Sequence, residues 1–158
     1  MSIGFFIGEK IIQYDFDATP LFPKFVIPAL NKSILICTKK LVDIGYLSAK
    51  KTIAEKLDSN KNIVKRGFIA TGDNFISDGE TLKKIVDSLP NIDAVEMEGG
   101  AIAQVAIQEN IPWIIVRTIS DAADEDASED FSQFIEKYKK LSWNFIKNFL
   151  ESYQDLQG

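Results

Sequence analysis

Short apolar runs rich in β-branched residues alternate along this chain with longer amphipathic runs. The runs NIVKRGFIA, IDAVEM and IPWIIVRTI are strand candidates, and they are too uniformly apolar for either of their faces to lie in water. The stretches DGETLKKIVDSL and GGAIAQVAIQEN between them have the length and the start signals of helices. Strands that are buried on both faces and separated by helices indicate a largely parallel sheet. We therefore predict an α/β fold, a three-layer α/β/α sandwich around a central mixed, largely parallel sheet.

Both ends of the chain add elements to this pattern. The first part, up to Pro28, combines a β-branched run with several prolines and predicts a strand followed by an extended, aromatic-rich excursion without a helix. The next run, NKSILICTKKLVDIGYLSAKK, has apolar residues at nearly helical spacing and predicts a helix capped by Asn31 or Ser33. A further apolar helical face, which begins near Ser128, predicts a long terminal helix.

The composition excludes several classes of protein. With 158 residues, of which 46% are hydrophobic, the chain is long enough for one core and too short for two, so we expect one domain over residues 1–158. A net charge of −5 without a dense Lys/Arg cluster argues against a nucleic-acid partner. No apolar run reaches the roughly 18 residues of a membrane-spanning helix, and the first residues lack the pattern of a signal peptide. We therefore expect a cytoplasmic protein that binds neither membranes nor nucleic acid.

The chain has one cysteine, Cys37, and no histidine. Internal disulfides, zinc sites built from His and Cys, and catalytic triads that use His are thereby excluded. Any acid–base chemistry must therefore fall to carboxylates.

Polar residues follow three of the predicted strands, in the segments ATGDNF, EMEGG and RTISDAAD. In sheets of this kind, small ligands bind outside the carboxyl ends of the strands. We therefore expect the three strand ends to converge on a site for a polyhydroxylated ligand, lined by Asp73, Glu96, Glu98, Arg117, Ser120 and Asp121.

Each of these segments also has a purely structural interpretation. Glu98 at a helix start complements the helix dipole, Asp121 is a common type of cap, and TGDNF is ordinary turn chemistry. Gly99 and Gly100 are typical of a helix that packs close to a sheet. Taken one at a time, none of these patterns predicts a function.

Three motifs occur together and in order: ATGDNFI (70–76), AVEMEGGAIAQVA (94–106) and VRTISDAAD (116–124). In combination they closely resemble 5'-methylthioadenosine/S-adenosylhomocysteine nucleosidase, a member of the purine nucleoside phosphorylase superfamily, and the resemblance runs over essentially the whole chain. It implies a nucleoside phosphorylase-like fold and hydrolysis of the N-glycosidic bond of methylthioadenosine or S-adenosylhomocysteine, with release of adenine. It also implies a homodimer and a site that needs neither a metal nor an organic cofactor.

The resemblance assigns four residues to the adenine base. Asp121 matches the general acid that donates a proton toward N7, and Ser120 matches the serine that orients it. Phe75 resembles the aromatic residue that stacks on adenine, and the main chain of Ile76 matches the group that reads its Watson–Crick edge. For Asp121 to be protonated near neutral pH, its pKa must be raised, for example by burial against an apolar wall.

The resemblance assigns five further residues to the sugar side of the nucleoside. Glu98 and the backbone of Met97 match the groups that hold the ribose hydroxyls, and Glu96 matches the first acid of the same motif. Arg117 matches the arginine near the nucleophilic water, and Phe131 matches a wall of the alkylthio pocket. Carboxylates around the ribose suit an oxocarbenium-like transition state, because that state places positive charge on the sugar.

The resemblance also has gaps. Family members are considerably longer, and their N-terminal Gly-Ala-Met segment and the glutamate that activates the attacking water have no counterpart here. We therefore expect the chain to correspond to the carboxyl-terminal portion of the family fold, without its first strands. Two other functions stay open. One is a catalytically impaired remnant that retains nucleoside binding or subunit contacts, and the other is a phosphate-using purine nucleoside phosphorylase.

Overall fold

The computed structural model describes residues 3–56, 63–120 and 127–155. Within these ranges the chain forms five strands and four helices. The predicted alternation of strands and helices is confirmed. In chain order the elements are β1 (Ile3–Gln13), β2 (Ile34–Ile36), α1 (Lys39–Lys56), β3 (Val64–Thr71), α2 (Gly79–Ser88), β4 (Ala94–Glu96), α3 (Gly99–Gln108), β5 (Ile115–Ser120) and α4 (Ala127–Gln154).

The strands form one mixed sheet. Strands β2, β1, β3 and β4 lie side by side in that order, and β5 pairs with β1. The β1–β2 pair is antiparallel, with Ile11 opposite Leu35. The β3–β4 pair is parallel, with Thr71 opposite Glu96. The predicted α/β fold with a mixed sheet is thereby confirmed.

The described residues pack as two compact units. The first unit draws on the ranges 1–7, 40–66 and 116–158, and the second on the ranges 8–39 and 67–115. The first unit therefore contains most of α1, most of β5 and α4, while the second contains β2, α2, β4 and α3. The expected single domain over residues 1–158 stays a prediction.

The prediction of a helix beginning near Asn31 is wrong. Residues Ile34–Ile36 form the short strand β2. Leu35 is buried while Ile34 and Ile36 are exposed, and this alternation is the period of a strand. The nearly helical spacing in the sequence arose because this strand is followed almost at once by α1, which begins only at Lys39.

Two other elements begin at different residues than predicted. Strand β5 begins at Ile115, after the apolar run has already started at Ile111. Pro112 lies in between, and a proline has no N–H group to donate to a β-ladder. Helix α4 begins at Ala127, next to the predicted start at Ser128.

The core of the first unit includes one face of α4. Leu141 and Phe145 are buried on this face, and the ring centroids of Phe145 and Phe5 lie 5.0 Å apart. Asn148 is buried on the same face, and its Nδ2 donates a hydrogen bond to Thr52 Oγ1 on α1 at 3.0 Å. The buried amide is therefore satisfied within the unit, as a buried polar group must be to avoid a large desolvation cost.

The core of the second unit lies beneath the ends of β1 and β3. Ile12, Phe68, Ala70 and Ile85 form a buried hydrophobic cluster that joins β1, β3 and α2. Ile76, which follows the end of β3, packs against this cluster. The core thus continues past the strand end at which the sequence predicts a ligand site.

No helix within the described ranges combines the length and the apolar character needed to cross a membrane. The same ranges contain no group of three or more His, Cys, Asp or Glu side chains arranged to hold a metal ion.

The buried thiol of Cys37 makes the stability of the protein depend on pH in the alkaline range. Burial raises the pKa of Cys37 to about 11, whereas an unfolded chain ionises its thiol near pH 8.5, approximately the ordinary cysteine pKa. The contribution of the neutral Cys37 thiol to the free energy of unfolding is therefore complete below the unfolded-state pKa. It is lost as pH rises from there through the folded-state pKa. Between pH 8 and pH 10 the wild type should lose about 1.5–2 kcal/mol more free energy of unfolding than Cys37→Ala.

Urea denaturation of both proteins at a series of pH values measures this difference. Other groups titrate in the same range, but they do so in both proteins and cancel in the comparison. Parallel stability curves for the wild type and Cys37→Ala would show that the folded state does not raise the pKa of this thiol.

Candidate functional site

The parallel pairing of β3 and β4 brings two of the three predicted strand ends together. Ile69, Ala70 and Thr71 lie opposite Ala94, Val95 and Glu96. Beyond the last pair, the N–H of Gly72 donates to the carbonyl oxygen of Glu96 at 3.1 Å. Neighbouring strands are about 4.8 Å apart, so the segments that follow β3 and β4 leave the sheet side by side.

The side chain of Glu96 caps helix α3. It is 7% exposed, and its carboxylate accepts hydrogen bonds from the N–H of Gly99 at 2.9 and 3.0 Å and from the N–H of Glu98 at 3.2 Å. These N–H groups belong to the start of the helix, where no intrahelical carbonyl can accept them. The negative charge also lies at the positive end of the helix dipole.

The purely structural interpretation of the sequence placed Glu98 at the helix start, but it is Glu96 whose side chain accepts the hydrogen bonds there. Glu98 occupies the cap position of α3, but its side chain makes no capping hydrogen bond there. Capping falls to Glu96, which precedes the helix by three residues and reaches forward to it. Glu98 and its neighbour Met97 are exposed at the strand end.

The two glycines at the start of α3 allow the helix to lie against the sheet. A Cβ atom on Gly100 would overlap the side chain of Thr71, and one on Gly99 would lie 2.8 Å from Ile11 Cδ1. The N–H of Gly100 donates to Thr71 Oγ1 at 3.3 Å. The expectation that these glycines mark close helix–sheet packing is confirmed.

The loop after β3 presents one aromatic ring to solvent. Phe75 is 79% exposed, while its neighbour Ile76 is half-buried against the hydrophobic cluster. At the far end of the loop, Asp78 Oδ1 accepts the N–H of Thr81 at 2.7 Å and so caps α2. This hydrogen bond lowers the pKa of Asp78 and keeps the cap charged. The exposed ring of Phe75 therefore lies between anchored residues.

Tyr14 and Asp15 also belong to this region, which no local sequence pattern predicted. The N–H of Tyr14 donates to the Thr71 carbonyl at 2.9 Å, and its hydroxyl donates to the Asn74 carbonyl at 3.3 Å. Asp15 Oδ2 accepts the N–H of Asp73 at 2.7 Å. Burial, followed by the charge of Asp15, raises the pKa of Tyr14, so its hydroxyl stays protonated and able to donate.

Among the remaining predicted site residues, the described ones lie in elements of the first unit. Arg117 lies half-buried on β5, and Ser120 is the last residue of the same strand. Asp121 falls outside the described residues. Phe131 lies on α4, and its side chain is outside the described part. Their assignment to the site, and the convergence of the third strand end with the other two, stay predictions.

The described part of the site can therefore do two things chemically. An exposed aromatic face at Phe75 can stack on a planar heterocycle. At the adjacent strand end, the carboxylate of Glu98 can accept hydrogen bonds from hydroxyl groups. A ligand that carries a flat base and a hydroxylated sugar matches both.

Because Glu96 caps α3, its removal should destabilise the fold. Glu96→Ala leaves the N–H groups of Glu98 and Gly99 without their side-chain acceptor, so the free energy of unfolding should fall by about 1–3 kcal/mol. Glu96→Gln keeps one acceptor oxygen and should cost less. Urea denaturation measures both values, with Glu109→Ala at the exposed carboxyl end of α3 as the matched control. Equal losses for Glu96→Ala and Glu109→Ala would contradict the capping role.

Comparisons with known proteins place this arrangement in a family. The sequence profile of the "Phosphorylase superfamily" matches residues 5–151. A 5'-methylthioadenosine/S-adenosylhomocysteine nucleosidase of Haemophilus influenzae (strain PittGG) is 35% identical over 146 residues, which are 92% of this chain and 60% of the relative. The chain thus spans about 60% of the length of this curated relative.

Two solved structures share the fold. The 5'-methylthioadenosine/S-adenosyl homocysteine nucleosidase of Campylobacter jejuni is 33% identical with a TM-score of 0.75, and the match covers 94% of this chain and 61% of that one. Futalosine hydrolase of Helicobacter pylori strain 26695 is 25% identical with a TM-score of 0.72, and the match covers 94% of this chain and 59% of that one. The resemblance drawn from the three sequence motifs is thereby confirmed. With a profile match that spans nearly its whole length, the chain belongs to the phosphorylase superfamily.

Proposed function

We propose that this protein hydrolyses the N-glycosidic bond of 5'-methylthioadenosine and S-adenosylhomocysteine and releases adenine. The observation that carries the proposal is an exposed aromatic ring, Phe75, after β3 and two exposed residues, Met97 and Glu98, after β4, the strand that pairs with β3 in parallel. The names of the similar nucleosidases support the choice of nucleoside.

In the proposed complex, each described strand end takes one part of the nucleoside. Adenine stacks on Phe75, and the main chain of Ile76 reads its Watson–Crick edge. The ribose hydroxyls bind to Glu98 and to the backbone of Met97. Glu96 supports this contact, because its carboxylate accepts a hydrogen bond from the N–H of Glu98.

The bond that breaks joins C1' of the ribose to N9 of adenine. Positive charge develops on the sugar as the bonding electron pair leaves with the base, so the carboxylate of Glu98 stabilises the transition state electrostatically. Asp121, oriented by Ser120, donates its proton toward N7 so that adenine leaves neutral. Water supplies the hydroxyl group that C1' receives, near Arg117, and its remaining proton restores the acid. Phe131 forms a wall for the alkylthio group.

We further propose the biological setting that the resemblance implies. The protein acts as a homodimer in the cytoplasm, contributes to methionine salvage, and uses neither a metal nor an organic cofactor. Its partner molecule is a small adenine nucleoside.

Release of adenine from methylthioadenosine by the purified protein tests the proposal. Chromatography should detect free adenine and methylthioribose in equal amounts, and Asp121→Asn should lower the rate by about a hundredfold or more, since general acid catalysis typically contributes at least that factor. S-adenosylhomocysteine and futalosine serve as alternative substrates in parallel reactions.

The same assay separates the competing functions. Release that requires inorganic phosphate indicates a phosphorylase, and release of the purine base from futalosine alone indicates the activity named for the Helicobacter pylori relative. A folded protein that binds adenine but releases no purine base from any of the substrates is the catalytically impaired form. Release at the wild-type rate by Asp121→Asn would remove Asp121 from the mechanism.

The assignment of Glu98 to the ribose gives a separate prediction. Glu98→Gln keeps the size of the side chain but removes the charge, so it should weaken binding of 5'-methylthioribose by about tenfold and leave binding of adenine within twofold. Isothermal titration with each ligand measures the two affinities. Equal losses for both ligands would count against the contact between Glu98 and the sugar.

A further inference from the structure

The loop that carries Phe75 is tied to residues almost sixty positions earlier in the chain. Asp15 accepts the N–H of Asp73, and Tyr14 donates from its hydroxyl to the Asn74 carbonyl. We propose that Tyr14 and Asp15 are positioning residues that hold the segment 73–76 in the conformation that binds the adenine base. This inference rests on the proposed function, because it gives that segment the base as its ligand.

The root of the loop is fixed by the backbone and the ring of Tyr14. The N–H of Tyr14 donates to the carbonyl of Thr71, the last residue of β3, at 2.9 Å. The aromatic ring then lies directly against Gly72, where an added Cβ would overlap it. Only a glycine at this position lets the ring approach the backbone so closely. The chain therefore leaves β3 along a path that the phenol ring defines.

The next two residues are held by side-chain hydrogen bonds. Asp15 Oδ2 lies 2.7 Å from the N–H of Asp73, a short distance typical of a bond to a carboxylate. The Tyr14 hydroxyl lies 3.3 Å from the Asn74 carbonyl. Together they satisfy one donor and one acceptor of the loop backbone immediately before Phe75, at positions where no helix or strand provides partners.

The far side of the loop has its own anchors. Ile76 packs against the hydrophobic cluster, and Asp78 caps α2. Phe75 is therefore the exposed residue between a tether on one side and a half-buried side chain on the other. If the tether is removed, the ring gains freedom, and a base that stacks on it must restore the lost order at a cost in affinity.

Removal of the tether should weaken binding of the adenine base and leave binding of the ribose unchanged. The segment assigned to the ribose is positioned by Glu96 and Thr71, whose hydrogen bonds to residues 98–100 involve neither Tyr14 nor Asp15. A positioning role thus predicts a selective loss. A general loss of stability would instead weaken both ligands.

The chain offers a matched set of variants. Asp15→Ala removes the acceptor, Asp15→Asn keeps one acceptor oxygen and is the conservative rescue, and Tyr14→Phe removes only the hydroxyl bond and leaves the ring in place. Asp17→Ala is the control, because Asp17 is an exposed aspartate on the same segment whose carboxylate accepts the Thr19 N–H and hydroxyl instead of the loop.

Amide hydrogen exchange on the full chain tests the tether without any ligand. In Asp15→Ala, exchange at residues 73–76 should accelerate by about threefold or more while the core strands stay unchanged, and Asp15→Asn should restore most of the protection. Tyr14→Phe should give a smaller increase, and Asp17→Ala none. Wild-type exchange at residues 73–76 in Asp15→Ala would overturn the proposal.

Titration of the same variants with adenine and with 5'-methylthioribose tests its consequence. Asp15→Ala should bind adenine about three- to tenfold more weakly, with the affinity for 5'-methylthioribose within twofold of wild type. An unchanged adenine affinity, or equal losses for both ligands, would overturn the positioning role. A wild-type protein that binds neither ligand would overturn the proposed function, and the exchange experiment would still decide whether Asp15 restrains the segment.

Discussion

The register between β3 and β4 is the constraint on which the described site depends. Because Thr71 lies opposite Glu96 in a parallel pair, the two segments that follow these strands start at the same edge of the sheet. A shift of one residue would turn the side chain of Glu96 to the other face and away from the start of α3. The hydrogen bond from the Gly72 N–H to the Glu96 carbonyl continues the pairing past the last residue of β3. It holds the register at the point where both segments leave the sheet.

Glu96 shows how a buried charge can be retained at such a point. A carboxylate with 7% exposure would carry a large desolvation cost if it stood alone. The N–H groups of Glu98 and Gly99 and the positive end of the α3 dipole offset that cost. The carboxylate in turn requires that no side chain occupy the space at Gly99, where a Cβ atom would lie 2.9 Å from Glu96 Oε1. The sequence Glu-Met-Glu-Gly therefore describes one packing unit, in which the acid, the helix start and the glycine depend on one another.

Local patterns predicted most of the fold, and the errors have identifiable causes. Strands β3 and β4 follow from apolar runs rich in β-branched residues, and helices α2 and α3 follow from longer runs with helix start signals. The short strand β2 was missed because three residues give no period of their own beside a long helix, and only pairing with β1 defines them as a strand. The contacts of Tyr14 and Asp15 with the loop after β3 were missed for a related reason. They join residues that are far apart in sequence, and no feature of YDFD specifies its partner.

The two strand ends share an arrangement that explains why their motifs had both a structural and a functional interpretation. After β3, Ile76 points into the hydrophobic cluster while Phe75 beside it is exposed. After β4, Glu96 turns inward to cap α3 while Met97 and Glu98 are exposed. At each strand end, the inward residue interacts with the rest of the fold and thereby limits the conformational freedom of its outward neighbours.

Such coupling lowers the conformational entropy that the outward side chain would otherwise lose when a ligand binds. The outward side chain itself remains available to contact the ligand. The two interpretations of each motif therefore apply to adjacent residues of the same segment and do not exclude one another. A substitution at an inward position should consequently change ligand binding through its neighbour, whereas one at an outward position should leave the fold intact.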